Sequence, residues 1–127
     1  MSDDARVWQE FAERDMAAGE DLVRTGHYAH AVVAFQQAVE KMLKGLIVAR
    51  TGEQPPRIHS LLRLAEVMEL DTTEEQAKLL GDLTNLYAML RYPAAHDMPA
   101  PDLDQSAAEA YAEGTREMMA WLRQQLT

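Results

Sequence analysis

The clearest periodic pattern in the chain runs from Tyr28 to Arg50. Ala31, Val32, Phe35, Val39, Met42, Leu43, Leu46 and Ile47 recur there at i, i+3, i+4 and i+7 spacing. That spacing predicts an amphipathic helix with a wide buried stripe. Gln36, Gln37, Glu40, Lys41 and Lys44 fall on the other side, with Glu40 placed to reach Lys44 one turn on. Gly45 interrupts the helix near its end, at a position where a neighbouring backbone can approach closely.

Other stretches repeat the pattern. A first helix is expected from about Asp4 to Arg24, with Trp8, Phe11, Ala12, Ala18 and Leu22 roughly on one face and Thr25-Gly26 as its stop. The second helix ends at Thr51-Gly52, and Gln54-Pro55-Pro56 imposes an extended connection. His59-Ser60 opens a short third helix carrying Leu61, Leu62, Leu64, Ala65, Val67 and Met68. Thr72 and Glu75 match a capping box for a fourth helix, whose stripe is Ala77, Leu79, Leu80, Leu83, Leu86, Tyr87 and Leu90. Pro93 stops that helix at Arg91-Tyr92, and the three prolines between Tyr92 and Asp104 predict a surface loop. A last helix is expected from about Gln105 to Leu126. Short connections make neighbouring helices antiparallel, so the expected fold is all-α. It is an up-and-down four-helix bundle with one additional short helix, formed as a single domain over residues 1–127. Gly26-His27-Tyr28 with Ala31, Phe35 and Ala38 looks like half of a tetratricopeptide repeat, but no second copy follows, which excludes a solenoid.

Composition narrows the classes. The 127 residues contain no cysteine, which removes disulfides, thiol nucleophiles and thiolate metal sites and fits a cytoplasmic setting. No apolar run approaches membrane-spanning length. Acids outnumber bases 21 to 12, for a formal charge of −9, which repels nucleic acid at long range. The charge is uneven, however. Residues 1 to 22 carry seven acids against Arg6 and Arg14, whereas residues 41 to 63 set Lys41, Lys44, Arg50, Arg57 and Arg63 against Glu53 alone. RNA, if bound, is expected near that middle segment.

Tyr28-x2-Ala31, the run Gln36-Gln37-Ala38-Val39-Glu40-Lys41-Met42-Leu43-Lys44-Gly45, Ile58-His59-Ser60-Leu61 and Tyr87-x3-Arg91-Tyr92-Pro93 lie in order along the chain. In that order and spacing they resemble the HEPN domain, and the resemblance spans nearly the whole sequence. It implies a helical bundle with a short extra helix, a homodimer enclosing a cleft, and pairing with a minimal nucleotidyltransferase in toxin–antitoxin-like modules. Many HEPN proteins are metal-independent ribonucleases using Arg-x4–6-His, and Arg91-x4-His96 fits that pattern. An imidazole can exchange protons with the 2′-hydroxyl and the leaving oxygen while a guanidinium holds phosphate. The Arg-Tyr-Pro form resembles the stand-alone branch of the family, in which catalysis does not carry over automatically. The simpler reading makes Arg91 a helix C-terminal cation and His96 an exposed loop residue.

Arg24-x5-His30 also fits the pattern, across a helix junction where it reads as accidental. His59 is expected to cap or pack at a helix start, or else to line a cleft beside Lys44. Glu40, Lys41 and Lys44 read as a surface charge cluster, or as a patch for phosphate or a partner. Lys41, Lys44 and His59 are thus the candidate nucleotide- or RNA-binding residues. His27 and His30 lack a third partner for a metal, so neither metal nor cofactor is expected. Trp8 and Trp121 are expected in the core or a dimer interface. Three readings follow from these residues: a dimeric HEPN-type module, a metal-independent ribonuclease using Arg91 and His96, and a ligand-free dimerisation scaffold.

Overall fold

The computed structural model describes residues 2–92 and 102–126. Five helices follow one another and no strand occurs among the described residues: α1 (Asp3–Arg24), α2 (Tyr28–Thr51), α3 (Leu61–Val67), α4 (Glu74–Arg91) and α5 (Gln105–Gln125). None is long and apolar enough to cross a membrane. Helix α2 touches each of the other four and supplies the largest share of the core, including Val32, Phe35, Met42, Leu43 and Leu46.

Local chemistry sets the helix ends. Ser2, Ser60, Thr73 and Asp104 each accept a hydrogen bond from a backbone N–H in the first turn of the following helix. The capping box of α4 is Thr73 with Gln76, one residue later than Thr72 with Glu75. Gly52 ends α2 at φ +71°, and Gly26 follows α1 at φ +83°, a region that glycine enters without a Cβ clash.

Helix α1 runs antiparallel to α2, as Trp8 against Gly45 and Gly19 against Phe35 show. It also runs antiparallel to α5, through the ion pairs Glu13–Arg123 and Glu20–Arg116. The buried face of α1 is Ala5, Ala12, Met16 and Gly19, which differs from the expected stripe. Phe11 and Ala18 point to solvent. The reason is proximity. A Cβ on Gly19 would stand 2.5 Å from Cε1 of Phe35, and one on Gly45 would stand 3.0 Å from Cβ of Trp8. Helices this close admit small residues along the seam and turn large ones aside.

Candidate phosphate site

The polar side of α2 is only partly a surface. Gln36, Glu40 and Lys44 repeat every four residues and therefore form one column along the helix. All three are buried. The surface cluster expected for Glu40 and Lys44 is thus corrected: the approach to α3 covers one side of the column and Trp8 of α1 lies beside Lys44. Lys41, one residue off the column, turns toward α1 and pairs with Asp15.

Glu40 is the centre of the arrangement. Its Oε2 accepts from Lys44 Nζ at 3.2 Å, and its Oε1 accepts from Gln36 Nε2 at 3.1 Å. The same Gln36 amide donates to the His59 carbonyl at 3.2 Å, while its own oxygen accepts from Gln37 at 2.7 Å. Ser60, the extended cap residue, follows His59, whose Nδ1 lies 2.9 Å from Glu40 Oε1. An ionised carboxylate oxygen can only accept, which makes Nδ1 the donor and leaves Nε2 as the outward nitrogen. The His59 side chain is 58% exposed while the Glu40 side chain is 7% exposed. A buried acid therefore aims a solvent-facing imidazole, and Ser60, rather than His59, caps α3.

Aromatic rings extend this line to the end of α4. The centre of the Tyr87 ring lies 5.8 Å from that of His59 and 5.5 Å from Cζ of Arg91. Burial raises the phenol of Tyr87 above its ordinary pKa, with the Arg91 charge pulling the other way. Tyr87 is thus a neutral spacer at physiological pH. Arg91 also borders a shallow depression of about 300 Å³ with Ala29, His30, Val33 and Leu90. At the opposite end of the line, Lys44 Nζ lies 6.0 Å over the Trp8 ring, a cation–π distance.

The structure therefore joins Lys44, His59 and Arg91 through Glu40 and Tyr87, and it sets Lys41 apart. His96 lies outside the described residues. Sequence reasoning placed Gln36 on the solvent side and gave Tyr87 no part in a site. The column of Gln36, Glu40 and Lys44 was the available signal, because three polar residues four apart on a strongly apolar helix form a buried seam when a second element covers them. His27 and His30 meet edge-on at 6.4 Å, and no group of three or more His, Asp or Glu among the described residues is placed to hold a metal ion. Two other depressions, of about 570 and 460 Å³, lined by Gln9, Glu13 and Arg123 and by Gln76, Lys78 and Tyr111, include none of Lys44, His59 and Arg91.

The chain is thus an all-α bundle whose second helix carries a buried Gln–Glu–Lys column, with an imidazole and a guanidinium at its rim. The HEPN domain model matches residues 5–125, and the chain belongs to the HEPN family. It is similar to the crystal structure of TT1696 from Thermus thermophilus, with 30% identity, a TM-score of 0.84, and coverage of 98% of this chain and 99% of that one. It also shares its fold with ST0689, an archaeal HEPN homologue, with 23% identity, a TM-score of 0.79, and coverage of 99% and 100%. No protein of curated function matches significantly.

Proposed function

We propose that the protein is a dimeric HEPN-type interaction module that takes nucleotide or RNA phosphate at the His59–Arg91 rim, beside a minimal nucleotidyltransferase partner. The observation that carries this reading is the exposed His59 imidazole held at 2.9 Å by buried Glu40, with Arg91 beyond Tyr87. A phosphate oxygen suits an outward imidazole in its protonated form and a guanidinium fork. Lys44 supports the site by holding Glu40 and does not itself face the ligand, since its side chain is 9% exposed. Calorimetric titration with nucleoside triphosphates and short RNA tests the reading. Saturable binding that His59→Ala and Arg91→Ala each weaken by about tenfold or more is expected, one charged contact being worth about 1.5–3 kcal/mol. Lack of binding by the folded wild type, or binding that both variants leave intact, rejects the site.

The ribonuclease reading is favoured by one specific feature: Arg91 is the last residue of α4 and leads directly into the segment that contains His96. In that reaction a base takes the 2′-hydroxyl proton and the 2′-oxygen attacks phosphorus. The 5′-oxygen then leaves with a proton, and Arg91 holds the charged phosphoryl oxygens. Incubation with RNA in EDTA separates the readings. Cleavage by the wild type that is lost in Arg91→Ala and His96→Ala supports the enzyme, and no cleavage between pH 6 and 8 by folded dimer rejects it.

A further inference from the structure

The depression beside Arg91 continues the line of the phosphate rim toward the start of α2. Tyr87 meets His59 next to Glu40, and one turn later Leu90 and Arg91 meet Ala29 and Val33. Helix α4 thus descends α2 in the antiparallel sense, and rim and depression form one furrow with Arg91 in both. Ala29, Val33 and Leu90 are half-buried and give the depression an apolar floor, while His30 and Arg91 are exposed at its edge. Its volume of about 300 Å³ is at the lower end of small-molecule sites. Arg91 makes no ion pair among the described residues, although the chain has 21 acids. It lies against the Tyr87 ring instead. His30 likewise pairs with no carboxylate among them, and the ring of His27 stands edge-on to its own.

An apolar floor between an imidazole and an uncompensated guanidinium matches a flat heterocycle joined to a phosphate. We propose that the depression is a base subsite, and that it accepts all four bases with little preference. It holds the nucleobase whose own phosphate lies at Arg91 and His59, so the inference rests on the phosphate reading above. An apolar side chain of a partner protein could fill the floor, but it would leave Arg91 without an anion. The lack of preference follows from the lining. Stacking on a ring and burial against an apolar floor use the face of a base, which every base has. Telling bases apart requires several fixed donors and acceptors along their edges. Among the described residues the only polar side chains here are His30 and Arg91, and Arg91 is committed to phosphate. One imidazole remains, which is too little to read an edge.

NMR chemical-shift titration of the full chain with inorganic phosphate, ribose 5-phosphate, AMP, GMP, CMP and UMP is the measurement. Circular dichroism confirms that each variant is folded. The four nucleotides should bind within about threefold of one another, and each at least about fivefold tighter than ribose 5-phosphate, the effect of one base stack. His30→Ala removes the ring, and Ala29→Leu fills the floor from a half-exposed helix position. Each should bring the nucleotides to within about twofold of ribose 5-phosphate, while ribose 5-phosphate itself binds within about twofold of its wild-type affinity. Nucleotides that bind no tighter than ribose 5-phosphate, or that either variant leaves unaffected, overturn the base subsite while leaving the phosphate rim standing. One base favoured over the others by more than about tenfold overturns the lack of preference. A folded wild type that none of these phosphates saturates overturns the phosphate reading and the subsite with it.

Discussion

Gly19 shows how much one missing side chain decides. Alanine normally favours a helix interior over glycine by about 1 kcal/mol. At this position its Cβ would meet a wholly buried Phe35 ring at 2.5 Å. The ring is enclosed by core neighbours and cannot swing away, so overpacking of about 1–3 kcal/mol outweighs the propensity gain. Gly19→Ala should therefore lower stability by up to about 2 kcal/mol in urea unfolding. A midpoint raised by the substitution would mean that the two helices separate more easily than the contact implies. Nothing in the local sequence marks Gly19 as necessary, because the feature that makes it so, a phenylalanine sixteen positions later, belongs to another helix.

At the scale of an element, α2 combines an apolar face with a buried polar column, and the two were not equally legible. The apolar positions announce themselves by period, since Val32, Phe35, Val39, Met42, Leu43 and Leu46 recur as a stripe and all are buried. Gln36, Glu40 and Lys44 look like an ordinary solvated face, because polarity reports a residue's own preference and not what a distant segment lays over it. The covering segment is the connection before Ser60, which helical periodicity does not describe. The energetic consequence is asymmetric. Glu40→Ala leaves the Lys44 ammonium buried without its partner and should cost about 3–5 kcal/mol. Replacing the pair together, as Glu40→Leu/Lys44→Met, should cost far less or even stabilise, at the expense of His59 orientation. Thermal unfolding of both variants checks the stability difference, and phosphate or nucleotide titration of the folded double variant reads the lost orientation. A double variant as unstable as Glu40→Ala would show that the column stabilises by more than mutual charge compensation.

At the scale of the molecule, the five helices, their order and most of their ends could be read from caps, glycines and prolines. Such signals act within a few residues of where they stand, and the antiparallel arrangement follows from short connections. The rim of the candidate site was readable only in pieces. Arg91 belongs to a motif and His59 to a helix start, but the contacts that connect them run through Tyr87 and Glu40 on two different helices. Phe11 belongs to the expected α1 stripe yet is exposed, a consequence of the narrow α1–α2 spacing that no local signal announces.

The position of α2, in contact with each of the other four helices, has a consequence for how the protein opens. A peripheral helix can detach while the remaining four keep a common support, so its amides can exchange hydrogen with solvent by partial opening. No such partial route exists for the middle of α2, since releasing it disconnects every neighbour at once. Amides from Val39 to Ile47 should therefore exchange only through global unfolding, with protection equal to the full unfolding free energy. Those of α3, a helix of 7 residues, should exchange at a smaller free energy. Hydrogen exchange followed by mass spectrometry or NMR resolves the two, and equal protection in both would mean that the bundle opens as a single cooperative unit.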